Sequence, residues 1–136
     1  MTSPCEGLKV VEVANWVAGP AACALFRDMG AEVLKIEPPE GDALRAFKMR
    51  NLGYDTDLNT AFEVDNRGKR SLVLDLEKPR AREVVHRLVR DADVLSDYTT
   101  ASQEKRMSFP SKPQPNQNKR GLFSCCGKSA KNAVVT

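Results

Sequence analysis

Few side chains in this 136-residue chain combine a reactive type with a suggestive spacing. The densest group is in "DNRGKRSLVLD", Asp65 to Asp75, where Arg67, Lys69 and Arg70 crowd the entrance of an apolar run. Cations spaced this way can hold phosphate oxygens through charge-assisted hydrogen bonds. They equally fit a solvated strand end. Trp16, the single tryptophan, sits in "NWVAGP", suited to stacking on a planar ligand or to serving as a packed anchor. The carboxylates Asp28, Glu37 and Asp42 lie near turns, where acids cap helices, pair or face water. His86, the only histidine, falls within an amphipathic segment and reads as a surface or half-buried side chain rather than a base. Cys5, Cys23, Cys125 and Cys126 include no C-x-x-C pair, so a zinc site is not expected. Reduced thiols in a cytosolic compartment fit best.

These residues must be positioned by a small α/β frame. "LKVVEV" (Leu8 to Val13) is a short apolar, β-branched run that reads as a buried strand. Pro20 suits the first turn of the helix that follows, and Gly30 suits its C-terminal cap. Ala21, Ala22, Ala24, Leu25 and Met29 are expected to form that helix's apolar face. "EVLKIE" (Glu32 to Glu37) is a second strand, stopped by Pro38 and Pro39. Gly41 to Val64 is weakly patterned and reads as loop with a short helix. "RSLVLDL" is a third strand. Pro79 opens a helix with Val84, Val85, Leu88 and Val89 on one face, and Asp93 to Leu95 begins a further strand. The order βαβ, then βαβ, predicts an α/β fold with a parallel sheet. Ligands in such sheets bind beyond the carboxyl ends of the strands. The loop Ala14 to Gly19 leaves the first strand there and ends at a helix N-terminus. It has no Gly-rich phosphate fingerprint, so it fits either an anion site or a tight turn.

The charge is split along the chain. Residues 1–98 carry 14 Lys+Arg against 17 Asp+Glu, while 99–136 carry 7 cations against the single acid Glu104. The second region is rich in Ser, Lys, Asn, Gln and Pro with no apolar period. It cannot bury enough surface to offset ordering entropy and is expected to be a disordered basic tail. Its charge would suit an acidic partner or a membrane surface; nucleic acid is not favoured. "KRGLFSCCGKSAK" resembles a reversible acylation site beside a basic patch, which would make a weak membrane anchor. The longest apolar stretch, Ala18 to Phe26, is too short to span a bilayer, and no secretory signal pattern is expected at the N-terminus.

"GLKVVEV", "AGP", "RDMGAEVLKIEPPEGD", "NRGKRSLVLDLEKPRARE" and "LVRDADVL" occur in this order from Gly7 to about Leu95. Together they resemble the opening of the family III CoA-transferases, the group of formyl-CoA transferase, carnitine-CoA transferase and α-methylacyl-CoA racemase. The resemblance implies a partial, Rossmann-like CoA-binding domain over 1–98, followed by the tail 99–136. It also implies an acyl-CoA and a carboxylic acid as substrates, a homodimer of interlocked copies, a cytoplasmic location and no tightly bound cofactor. Full-length members of that family move CoA between acids through an acyl-aspartate, or move a proton in the racemase branch. Carried onto this chain, Trp16, Val17 and Ala18 would lie against CoA, and Pro38 would help surround the adenine. Val73, Leu74 and Asp75 would line the nucleotide, and Lys69 and Arg70 would neutralise phosphate.

Departures from the pattern follow "ADVL". The family continues with V-E-N-[FY]-x-P-G, whereas this chain reads "SDYTTAS". The family's catalytic aspartate lies further on, and no residue here matches it. The expectation is therefore a truncated member that binds CoA or acyl-CoA without a catalytic residue of its own. The alternative is a non-enzymatic interaction protein whose Cys-containing tail does the work.

Overall fold

A computed structural model describes residues 3–47, 58–98 and 134–135. The elements are β1 (Lys9–Ala14), α1 (Ala18–Asp28), β2 (Glu32–Glu37), a 3-10 turn (Ala43–Ala46), α2 (Thr60–Asn66), β3 (Arg70–Val73), α3 (Pro79–Asp91), β4 (Val94–Tyr98) and β5 (Val134–Val135). The sheet has the order β3-β2-β1-β4-β5, and every pairing is parallel. The α/β architecture with a parallel sheet is the one the βαβ pattern implies.

Local chemistry sets the helix ends. Pro20 is the third residue of α1, within the first turn, where its missing N–H leaves no bond unmade. At the other end Gly30 has φ 97°. Its N–H donates to Arg27 O at 3.0 Å, and the Ala31 N–H donates to Phe26 O at 3.0 Å. This is a Schellman cap, which only a left-handed residue can close. Asn59 caps α2, its Oδ1 accepting the Phe62 N–H at 3.0 Å while its Nδ2 donates to Phe47 O at 2.9 Å.

Strand alternation divides the core in two. Under α1 lie Cys5, Val10, Cys23, Ala31 and Val33. Under α3 lie Val11, Val13, Ile36, Val85 and Val89. The inward face of α3 includes Val85 and Val89, as its pattern predicts. The inward face of α1 matches expectation in part. Ala24 is buried and Met29 packs against the core, as its pattern predicts, and Gly19, Pro20 and Cys23 are buried beside them, whereas Leu25 is 58% exposed.

The expected tail lies outside the described residues except for Val134–Val135, which pair in parallel with Leu95 and Ser96 of β4. No strand is legible there in the sequence. Among the described residues no helix is long and apolar enough to cross a membrane.

Candidate functional site

The carboxyl edge of the sheet is where three neighbouring strands release their loops. β1 gives way to Asn15–Val17, β2 to Pro38–Asp42, and β3 to Leu74–Lys78. Directly beneath this edge the α1-facing side of the sheet stops being apolar. Glu12 is registered beside Lys35 and beside Ser96, and Lys35 is registered beside Ser71. One row across four strands is thus wholly polar, with Val10 and Val33 of the apolar core two residues earlier on the same strands.

Isolated charges at such a depth would cost several kcal/mol each, of order 20 kcal/mol in the idealised limit, so each has a partner. Lys35 Nζ lies 2.7 Å from Glu12 Oε1 and 2.7 Å from Asp42 Oδ2. It also donates to Ala14 O at 2.8 Å. Lys69 Nζ reaches in from the turn before β3 and donates to Glu12 Oε2 at 2.7 Å, Pro20 O at 2.8 Å and Asn66 Oδ1 at 3.1 Å. Two carboxylates therefore face two ammonium groups. Burial pulls the Lys69 ammonium below the usual lysine range, against the opposing pull of Glu12.

Glu37 forms a second, separate pair. Arg45 clasps it with Nε–Oε2 at 2.7 Å and Nη2–Oε1 at 2.9 Å. The Ser71 hydroxyl donates to Oε1 at 2.6 Å, and the Asp42 N–H donates to Oε2 at 3.1 Å. The Arg45 guanidinium holds the Glu37 carboxyl down at about 2. The Cys23 thiol, fully buried, is pushed up to about 11 by burial and by the Glu12 carboxylate. The buried acids Glu12, Glu37 and Asp42 are each committed to a cation.

The predicted residues separate into groups. Trp16, Val17 and Ala18 are exposed on the loop after β1 and at the start of α1, with Trp16 at 53% and Val17 at 52%. Pro38 follows β2 directly and is half-buried. Val73 ends β3 with 58% exposure, and Leu74 and Asp75 follow it half-buried. The Leu74 N–H still bonds Glu37 O at 2.8 Å, tying the β3 loop to β2. These seven residues share one edge.

The cation cluster does not stay together. Arg67 is held by Asp28, with Nε 3.1 Å from both carboxylate oxygens. Lys69 has 2% side-chain exposure and is spent on Glu12, so its ammonium does not face an open phosphate site. Arg70 is exposed at the start of β3, beside Leu34. Asp28, Glu37 and Asp42 pair or cap, as acids near turns do, and His86 is half-buried on α3. Among the described residues no cluster of His, Cys, Asp and Glu could hold a metal ion. Cys125 and Cys126 lie outside the described residues.

Glu12, Lys35 and Arg45 were not legible as site residues. The signal available was a charge at the fourth position of each of the first two strands, Glu12 in "KVVEVA" and Lys35 in "EVLKIE". Opposite charges inside two adjacent buried strands call for side-by-side pairing.

The profile of CoA-transferase family III matches residues 5–120. Cinnamoyl-CoA:phenyllactate CoA-transferase of Clostridium sporogenes is 38% identical over 95 residues, covering 69% of this chain and 23% of that protein. Succinate–glutarate CoA-transferase of Agrobacterium fabrum is 44% identical over 96 residues, covering 68% of this chain and 24% of that protein. The crystal structure of a CaiB/BaiF family protein from Brucella suis superimposes with a TM-score of 0.72 at 34% identity, covering 85% of this chain and 32% of that one. The chain thus spans about a quarter of the length of these two curated relatives.

Proposed function

The chain belongs to CoA-transferase family III, and we propose that residues 1–98 form a CoA-binding half-site that takes the nucleotide end of CoA or an acyl-CoA. The observation that carries this reading is the shared edge. Trp16 and Val17 after β1, Pro38 after β2, and Val73, Leu74 and Asp75 after β3 leave three adjacent parallel strands in the same direction. Exposed apolar side chains over a floor of paired charges suit a purine and its ribose. Lys69 supports the floor from inside, and Arg70 stands exposed at the start of β3, at the opposite end of that strand from Val73.

In the full reaction of the family, CoA passes between two carboxylic acids. The relatives named above carry such pairs in their names, cinnamate with phenyllactate and succinate with glutarate. For these residues we assign CoA binding. Self-association into a homodimer and a cytoplasmic location belong to the same reading; the free, buried Cys5 and Cys23 suit a reducing compartment. The test is titration of CoA against Trp16 emission. Saturable quenching is expected; emission indifferent to millimolar CoA would overturn the assignment.

A further inference from the structure

We infer that Asp42 is the positioning residue of this edge: clamped by Lys35, it fixes the backbone of Trp16 and thereby the shape of the loop after β1. The inference rests on the CoA-site reading for its purpose but not for its geometry.

Trp16 has φ 67°, a left-handed conformation that a bulky residue rarely adopts and keeps only when its surroundings dictate it. Trp16 is 53% exposed, so packing of the side chain does not dictate it. The constraint comes through the backbone. The Trp16 N–H donates to Asp42 Oδ1 at 3.2 Å, and the same oxygen accepts the Leu44 N–H at 2.8 Å. Asp42 Oδ2 is 2.7 Å from Lys35 Nζ, and that ammonium also holds Ala14 O at 2.8 Å. The Lys35–Asp42 pair therefore grips the loop on both sides of Asn15. Asp42 is in turn anchored through its own N–H to Glu37 Oε2 at 3.1 Å, and it is 1% exposed. The loops after β1 and β2 form one rigid unit, so a ligand spanning Trp16 and Pro38 meets a preformed surface.

Removing Asp42 alone would leave Lys35 and Lys69 sharing the single carboxylate of Glu12, so the test removes one charge of each sign. Lys35→Met with Asp42→Asn keeps an oxygen acceptor for Trp16. Lys35→Met with Asp42→Ala removes it at the same charge balance. Trp16 is the only tryptophan, so time-resolved fluorescence anisotropy reads its mobility directly. The Ala double variant is expected to gain a fast depolarising component and to bind CoA about tenfold more weakly, the worth of one charge-assisted hydrogen bond. The Asn double variant is expected to keep the slow decay and to bind within about threefold of the unaltered chain. Equal anisotropy and equal CoA affinity in the two, at matched urea midpoints, would overturn the inference. A measurement on the unaltered chain does not depend on either variant folding. The Trp16 amide should be protected from hydrogen exchange, and exchange at the open-chain rate would refute the tether. If the unaltered chain fails to bind CoA, the site reading falls, while anisotropy and exchange still decide the role of Asp42.

Discussion

Glu12 on β1 and Lys35 on β2 are registered neighbours with Oε1 and Nζ 2.7 Å apart, and neither side chain is more than 1% exposed. The second oxygen of Glu12 holds Lys69, so one carboxylate answers two buried ammonium groups. Glu12→Gln leaves Lys35 with Asp42, and Lys69 with the neutral oxygens of Pro20 and Asn66. Breaking a buried pair in this way costs about 3–5 kcal/mol. Urea denaturation of the variant should show a loss of that size, and a loss under about 1 kcal/mol, as for a surface pair, would mean the network is not closed to water.

Acid should act through Glu37. Its carboxyl titrates near 4.5 in an open chain and at about 2 when clasped by Arg45. A depressed acid contributes stability in full above the open-chain value and loses it as pH falls toward the folded one. The contribution, about 3 kcal/mol at 1.36 kcal/mol per unit, should fade between pH 4.5 and 2. Glu37→Gln should flatten the pH dependence of the urea midpoint in that window, and an unchanged slope would contradict the pairing.

Cys23 should be chemically silent. Burial and the Glu12 carboxylate raise its thiol to about 11, which leaves little thiolate at neutral pH. Iodoacetamide at pH 8, with the sites read by peptide mass spectrometry, should leave Cys23 and the buried Cys5 unmodified until denaturant is added. Rapid labelling of Cys23 in the folded chain would show that α1 lifts from the sheet.

Two glycines separate strain from clash. At Gly30 an added Cβ would come within 2.5 Å of Ser3 Cβ, whereas at Gly7, with φ 78°, it would meet nothing within 4 Å. Gly7→Ala should cost about 1–2 kcal/mol from the left-handed conformation alone. Gly30→Ala should cost more, because Ser3 must also move and the bond from the Cys5 N–H to Met29 O, 2.9 Å long, lies in that segment. Thermal denaturation of the two variants should rank them in that order, and the reverse order would count against the cap geometry.

Much of this frame is legible from local chemistry. The β-branched runs, Pro20, Gly30 and Pro79 mark the βαβ units because each acts within a few residues of itself. What fails to be legible depends on register. The apolar run "LKVVEV" conceals that Glu12 must meet Lys35, and "NRGKRS" conceals that Lys69 points inward while Arg70 stays outside. Side-by-side placement of strands distant in sequence decides both, and no local pattern encodes it. Leu25 reads as core by helical spacing, yet the buried side of α1 is made by Gly19, Pro20, Cys23 and Ala24, and the leucine is left outside. The seven loop residues at the carboxyl edge come from the family resemblance; the parallel-sheet rule by itself points only to the loop Ala14 to Gly19.

The central claim is that this edge binds CoA, and thermal unfolding followed by far-UV circular dichroism, with and without millimolar CoA, tests it most directly. A ligand at 100 times its dissociation constant stabilises the folded state by about 2.7 kcal/mol, which raises the midpoint by roughly 4–8 °C per kcal/mol in a domain of this size. The account predicts a cooperative transition that moves upward with CoA and moves less in Trp16→Ala. A cooperative transition indifferent to CoA would contradict it.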